Sequence, residues 1–118
     1  MTGSSAFSVT RYAQGEALVL EVGGALDQVT APSLATHMDL ALTSGPPVLV
    51  VDLTNVDFMS SAGISLLVEA HRLTERSPTS LRVAAEGPAT SRPMRIVGVD
   101  KIIDLYPTVT EAIRGRQS

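Results

Sequence analysis

Two short segments near the beginning of the chain show the alternation of apolar and polar side chains that is typical of β-strands. Residues 7–12 alternate weakly, whereas residues 17–22 form a stronger and more apolar strand. The segment Gln14-Gly15-Glu16 lies between them and has the composition of a tight turn. The pattern predicts a β-hairpin whose second strand is closed by Gly23 and Gly24.

Two longer segments have apolar residues at the spacing of amphipathic helices. The first begins after Thr30, a good N-cap residue, carries Pro32 in its first turn and ends before Gly45. The second covers residues 61–76, where a polar stripe lies opposite a broad apolar face. The sequence therefore predicts two helices that each bury one face against a sheet.

Residues 48–53 form an almost continuous aliphatic run, which is typical of a central strand covered on both faces. We expect a loop over residues 54–59 and a parallel strand at residues 81–85, since a strand–helix–strand crossover joins parallel strands. A short helix, an edge strand and a last helix are predicted at residues 91–97, 102–105 and 107–114. This order predicts a mixed sheet of five strands with four helices, in an α/β or α+β arrangement.

Composition restricts the function classes that remain. The 118 residues are enough for one hydrophobic core and carry no repeat or interior linker, so we expect a single domain over residues 1–118. Aromatic residues make up 3% and the formal net charge is -3, so no nucleic-acid partner is expected. The absence of cysteine excludes disulfides, thiol catalysis, iron–sulfur clusters and Cys-based zinc sites.

Few polar residues have the context of a catalytic or metal site. His37 and His71 lie in separate helical segments without metal-site spacing, so we expect structural roles, no metal and no cofactor. Asp52 ends the central strand, and a turn-stabilising hydrogen bond is its expected use. No apolar run reaches the ~18 residues that span a bilayer, and the N-terminus lacks a signal-peptide layout. We therefore expect a cytoplasmic protein with no membrane partner.

The segment at residues 57–64, DFMSSAGI, is the richest in candidate chemistry. Here the chain leaves the central strand and begins its most apolar helix, whose N-terminal amides and dipole favour anions. Ser60 and Ser61 place two hydroxyls at this position, and Gly63 leaves room for an approaching backbone, phosphate or partner loop. One serine could be only an N-cap. A serine nucleophile or a phosphate-binding loop lacks the required glycine and lysine pattern, so a phosphorylatable serine remains.

Three separated motifs resemble one family. Residues 50–64, VVDLTNVDFMSSAGI, resemble the signature of the STAS domain found in bacterial anti-sigma factor antagonists, V-x-D-L-x-x-V followed by F-[ML]-[DS]-S-[STA]-G-[LI]. Residues 24–31, GALDQVTA, resemble the family's G-x-L-D-x-x-T-A. Residues 88–103 resemble its P-x-x-x-R…G-[LV]-x-x-[IL]-[IF]. The resemblance covers nearly the whole chain in order, and it implies the STAS fold.

The resemblance also implies a function in transcription regulation and the stress response by partner switching. The unmodified protein would bind an anti-sigma factor that is also a serine kinase, and would thereby release a sigma factor. The kinase would use ATP and Mg²⁺ to phosphorylate Ser61, which would dissociate the complex, and a metal-dependent serine phosphatase would reverse the modification. The protein would then be a phosphoprotein and a binding module, not an enzyme.

The sequence departs from the family pattern around the acceptor. Many members have aspartate where this chain has Ser60, so Ser60 is an alternative acceptor, and Ala62 replaces a second serine. Asp27 is either the capping group of the first helix or part of the partner surface. Phe58 is expected in the core. The partner-binding residues predicted from their position around Ser61 are Asp27, Gln28, Met59, Ser60, Ala62, Gly63 and Ser65.

Two other functions compete with the antagonist. The same fold could serve as a small subunit of an ABC-type lipid transporter, where it would need no phosphorylation. A nucleotide-binding or hydrolytic role near Asp27 and Ser61 is the alternative from the enzyme class, but the sequence offers neither a catalytic triad nor a phosphate-binding loop for it.

Overall fold

The computed structural model describes residues 6–115, which form one mixed sheet flanked by helices. A 3₁₀ turn, Val99–Lys101, lies between the third helix and the last strand. The elements in chain order are β1 (Ser8–Gln14), β2 (Ala17–Leu26), α1 (Ala31–Thr43), β3 (Val48–Met59), α2 (Ser61–Thr74), β4 (Ser80–Ala84), α3 (Ser91–Ile96), β5 (Leu105–Tyr106) and α4 (Val109–Arg114). The predicted element order, with five strands and four helices, is confirmed.

The strands lie in the order β1-β2-β3-β4-β5, so β3 is central as its aliphatic sequence predicts. The β1–β2 hairpin is antiparallel, and the β2–β3, β3–β4 and β4–β5 pairs are parallel. Because each parallel strand is followed by a helix, β2 and β3 both end at the edge of the sheet where α1 and α2 begin. This edge carries the segment that the sequence singles out.

The two faces of the sheet are covered unequally. The larger hydrophobic core lies between one face and helices α1, α2 and α3, and it includes Leu34, Leu67 and Met94. On the other face a smaller cluster packs around α4 through Ala112. The larger core includes the side chain of Leu26, which is fully buried at the end of β2.

Three predicted boundaries differ from the structure by more than two residues, and two of these share a cause. β2 continues through Gly23 and Gly24 to Leu26, and β3 continues to Met59 where a loop was expected. The β2–β3 register shifts twice, between Glu21 and Gly23 and between Gly24 and Ala25, so that β3 accommodates additional residues without leaving the sheet. Gly24 has a φ of 87°, and a Cβ atom there would lie 2.9 Å from the carbonyl oxygen of Ala6. These glycines therefore form part of an irregular strand and do not end it.

The predicted edge strand at residues 102–105 is the third wrong boundary. The edge strand β5 contains only Leu105–Tyr106, because the chain before it turns as a 3₁₀ helix. Ile103 is buried in the larger core while its neighbour Ile102 is half exposed. The apolar pair thus reflects one side chain that anchors a turn, not the alternation of a strand.

Candidate functional site

Ser60 joins the end of β3 to the beginning of α2. Its backbone is extended, and its Oγ accepts a hydrogen bond from the Ala62 N–H at 3.2 Å, which makes it the N-cap of the helix. The Ser60 N–H donates to the carbonyl oxygen of Leu26 at 2.9 Å. Ser60 is therefore held both by its own helix and by the neighbouring strand.

Ser61 is the first residue of α2, and its side chain is exposed. Within residues 6–115 its hydroxyl takes part in no hydrogen bond, whereas the amides of Gly63 and Ile64 donate back to the Ser60 carbonyl oxygen. The 14-residue helix directs its positive dipole end to this point. The arrangement presents one free hydroxyl in a position that favours negative charge.

Gly63 permits a close contact between α2 and the end of β2. A Cβ atom at Gly63 would lie 2.8 Å from Leu26 Cγ and 3.2 Å from the Leu26 carbonyl oxygen. The sequence predicted that Gly63 leaves room for an approaching backbone, a phosphate or a partner loop. The neighbour that approaches is Leu26 of the same chain, with both its backbone and its side chain. This contact, together with the Ser60–Leu26 hydrogen bond, holds the β2–α1 loop beside Ser61.

Asp27 organises that loop. Its Oδ1 accepts hydrogen bonds from the N–H groups of Val29 (2.9 Å) and Thr30 (3.1 Å). Thr30 is the N-cap residue as predicted, but its hydroxyl donates to the Ala25 carbonyl oxygen (2.8 Å) instead of capping α1. The backbone hydrogen bonds from Thr30 and then Val29 hold the pKa of Asp27 below its ordinary value of 3.8. Both amides precede α1, whose N-cap is Thr30, so Asp27 orders the loop and is not the capping group of the first helix. Its place in a partner surface stays a prediction.

Asp27→Ala should lower the thermal stability of the protein at neutral pH, because two amides of the loop lose their acceptor. Since the folded-state pKa of Asp27 is depressed, its contribution is complete above pH 3.8 and is lost as the pH falls through the folded value. The difference in unfolding midpoint between wild type and variant should therefore narrow in acid. Calorimetric scans of both proteins at pH 7 and in strong acid measure it, and an equal difference at both pH values would contradict this role.

The second register shift of β3 determines which side chains face outward before Ser61. Val56 pairs with Gly24 and Phe58 with Ala25, so Asp57 is the additional residue. Asp57 and Phe58 are both exposed, Phe58 to 54%, whereas Met59 is buried at 7%. The interpretation of Phe58 as a core residue is therefore wrong, because the phenyl ring is exposed in the strand segment that follows the additional residue Asp57.

The predicted partner-binding residues lie around one edge of the sheet but differ in exposure. Gln28, Ser61 and Ser65 are exposed, and Asp27, Ser60 and Ala62 are partly buried. Met59 and Gly63 are buried, so their side-chain positions offer little surface to a partner. Val29, which is not among the predicted partner-binding residues, is exposed to 80%. An aliphatic residue inside the polar turn of residues 27–30 was the available signal.

The remaining candidate residues make local contacts. Asp52 is buried, and its Oδ1 accepts hydrogen bonds from the Thr54 N–H (2.9 Å) and hydroxyl (2.7 Å), within a strand and not at a turn. His37 Nδ1 lies 2.9 Å from the Ser33 carbonyl oxygen, and His71 Nε2 lies 3.5 Å from Glu75 Oε2. Over residues 6–115, no group of three or more His, Asp or Glu side chains could hold a metal ion. None of the helices in the same range is long and apolar enough to cross a bilayer.

Comparisons with known proteins agree in one family. A sequence model of the STAS domain matches residues 8–112. The anti-sigma-F factor antagonist RsfB of Mycobacterium tuberculosis is 30% identical over 115 residues, which cover 98% of this chain and 93% of RsfB. The crystal structure of an anti-sigma factor antagonist from Mycobacterium paratuberculosis is similar with a TM-score of 0.86 at 33% identity, covering 92% of each chain.

A more distant likeness extends to the fold alone. The Bacillus cell fate determinant SpoIIAA, solved in its phosphorylated form, has a TM-score of 0.66 at 20% identity, covering 92% of this chain and 97% of SpoIIAA.

Proposed function

Because this chain belongs to the STAS domain family, among the anti-sigma factor antagonists, we propose that it binds an anti-sigma factor and thereby frees a sigma factor. In this proposal the chain acts as one STAS domain without catalytic activity of its own. The unphosphorylated form binds, and phosphorylation of Ser61 ends binding. RsfB, which aligns over 98% of this chain and is named an antagonist of anti-sigma-F factor, supports the choice of partner class.

One observation supports Ser61 as the switch more than any other. Its hydroxyl is exposed at the first position of α2 and makes no hydrogen bond to the described part of the chain. A kinase can therefore reach it without unfolding the helix. A phosphate there would lie at a helix N-terminus, where the dipole favours negative charge and the fold tolerates it.

Ser60 is the less suitable acceptor. Its Oγ caps the Ala62 amide, and its backbone is held against Leu26. A phosphoryl group on that oxygen would strain the cap and must fit a partly buried position. We therefore propose Ser61 as the phosphorylated residue and Ser60 as a structural one.

The chemistry of the proposed switch is carried out by partners. An anti-sigma factor with serine kinase activity transfers the γ-phosphoryl group of ATP, with Mg²⁺, to Ser61 Oγ. The Oγ–P bond forms, the bond to the β-phosphate oxygen breaks, ADP leaves and the hydroxyl proton is released. A metal-dependent serine phosphatase then returns the hydroxyl by hydrolysis. The added charge of about -2 would be desolvated without a counter-charge if the partner stayed bound, so the complex dissociates.

The test is a phosphorylation assay with the ATP-binding anti-sigma factors of the host organism, each purified and incubated with this protein, ATP and Mg²⁺. Mass spectrometry should find one added phosphate on the wild type and none on Ser61→Ala. Ser60→Ala should be phosphorylated like the wild type, which makes it the matched control. A phosphate that persists on Ser61→Ala would move the acceptor elsewhere. If no anti-sigma factor binds or phosphorylates the protein, the transporter-subunit alternative would replace this proposal.

A further inference from the structure

Two exposed apolar side chains belong to the segments that meet at Ser61. Phe58, three residues before it on β3, is exposed to 54%, and Val29 in the β2–α1 loop is exposed to 80%. The whole chain contains only two phenylalanines and no tryptophan. Burial of such a ring would stabilise the fold, and exposed apolar side chains that cluster can mark a binding surface.

Leu26 brings the segments that carry these two side chains to the same edge of the sheet. Its carbonyl oxygen accepts the Ser60 N–H at 2.9 Å, and Leu26 pairs with Met59, next to Phe58. Val29 follows Leu26 by three residues in the same loop. Phe58, Val29 and Ser61 therefore belong to segments that meet at the edge of the sheet where β2 and β3 end.

Both apolar groups are held by the backbone around them. The Val29 N–H donates to Asp27 Oδ1 at 2.9 Å, and the Ala31 N–H donates to the Asp27 carbonyl oxygen at 2.8 Å. Phe58 lies on a paired strand opposite Ala25. A binding surface that is ordered before the partner arrives loses less conformational entropy on association, which favours these residues as anchors.

Other exposed leucines serve as a comparison. Leu40 on α1 and Leu73 on α2 are exposed to 59% and 57%. They lie near the C-terminal ends of their helices, about 14 to 18 Å along the helix axes from the edge that carries Ser61. Exposure alone therefore does not distinguish Phe58 and Val29. Their place at the edge of the sheet that carries Ser61 does.

We propose that Phe58 and Val29 are the apolar anchors of the surface that binds the anti-sigma factor, with the phenyl ring of Phe58 entering an apolar cleft of that partner. This inference rests on the proposed function. A few residues near the centre of an interface usually contribute most of its binding energy.

Calorimetric titration tests this with the anti-sigma factor that the unphosphorylated wild type binds. Phe58→Ala should weaken binding about 30-fold and Val29→Ala about fivefold, whereas Leu40→Ala, a change of matched exposure, should stay within about twofold. Circular dichroism checks the fold of each variant. Val29→Ser, at a more exposed position, keeps the proposal testable should Phe58→Ala fail to fold.

Two results distinguish a failure of the anchor residues from a failure of the proposed function. If the wild type binds and the Phe58 and Val29 variants bind as tightly as Leu40→Ala, the anchors are wrong and the antagonist function stands. If the wild type binds no anti-sigma factor, the proposed function itself fails and this inference fails with it.

Discussion

Ser61→Glu should weaken the complex of the unphosphorylated protein with its anti-sigma factor by about 100-fold or more. The side chain at this position is exposed in the free protein, so a carboxylate is fully hydrated there. In the proposed complex the same carboxylate would be buried without a counter-charge, at a cost of roughly 3 to 5 kcal/mol. Because each 1.4 kcal/mol corresponds to about a tenfold change, titration calorimetry would measure the loss directly as an increased dissociation constant.

The same substitution should leave the fold intact. Ser61 is the first residue of α2, and a negative charge in the first turn is favourable for a helix by about 0.3 to 1 kcal/mol. The thermal midpoint of Ser61→Glu should therefore equal or slightly exceed that of the wild type. Loss of binding with retained stability is the combination that a surface switch requires.

Ser61→Gln is the matched control, since glutamine has the size of glutamate without its charge. It should bind much more tightly than Ser61→Glu. If the two variants were equally weak, steric size and not charge would explain the loss. If Ser61→Glu bound as tightly as the wild type, the charge mechanism would be wrong.

Gly63→Val should destabilise the protein by about 3 kcal/mol, at the upper end of the usual cost of overpacking. The first added atom would already lie 2.8 Å from Leu26 Cγ and 3.2 Å from the Leu26 carbonyl oxygen. The side chain of Leu26 is fully buried and cannot move aside without disturbing the core. Urea unfolding, followed by circular dichroism, gives the free energy of unfolding for both proteins.

Two further variants identify Leu26 as the cause. Ala62→Val places the same β-branched side chain at the preceding, partly buried position and should cost less than about 1 kcal/mol. Leu26→Ala alone should cost about 2 to 5 kcal/mol through the cavity that it leaves. The double variant Leu26→Ala/Gly63→Val should lose at least about 1 kcal/mol less than the sum of the single losses. Strict additivity would show that the two residues do not press on each other.

The sequence predicts the regular parts of this fold because burial and periodicity agree there. The aliphatic run at residues 48–53 is the centre of the sheet, and residues 61–74 form the helix that its pattern indicates. The bulges could not be predicted, because an additional residue on β3 depends on its pairing with β2 and not on its own pattern. Consequently the exposure of Phe58 and the burial of Met59 are opposite to a simple alternation.

The site shows the same division between local and non-local information. Local sequence was sufficient to place Ser61 at a helix N-terminus, because serine, glycine and an apolar face occur at the right spacing. The contact between Gly63 and Leu26 joins segments far apart along the chain, so it became visible only in the fold. The sequence therefore predicted that Gly63 permits a close approach, but it could not identify Leu26 as the residue that approaches.

The Ser61 hydroxyl makes no hydrogen bond within the described chain, and this determines how phosphorylation at Ser61 would act. A modification that broke internal hydrogen bonds would act by changing the conformation of the protein. A modification of a hydroxyl without such bonds changes only the surface that a partner contacts. Such a modification can be added and removed repeatedly without partial unfolding of the protein. The lifetime of the modification would then depend on the enzymes that add and remove it, and not on the folding of this protein.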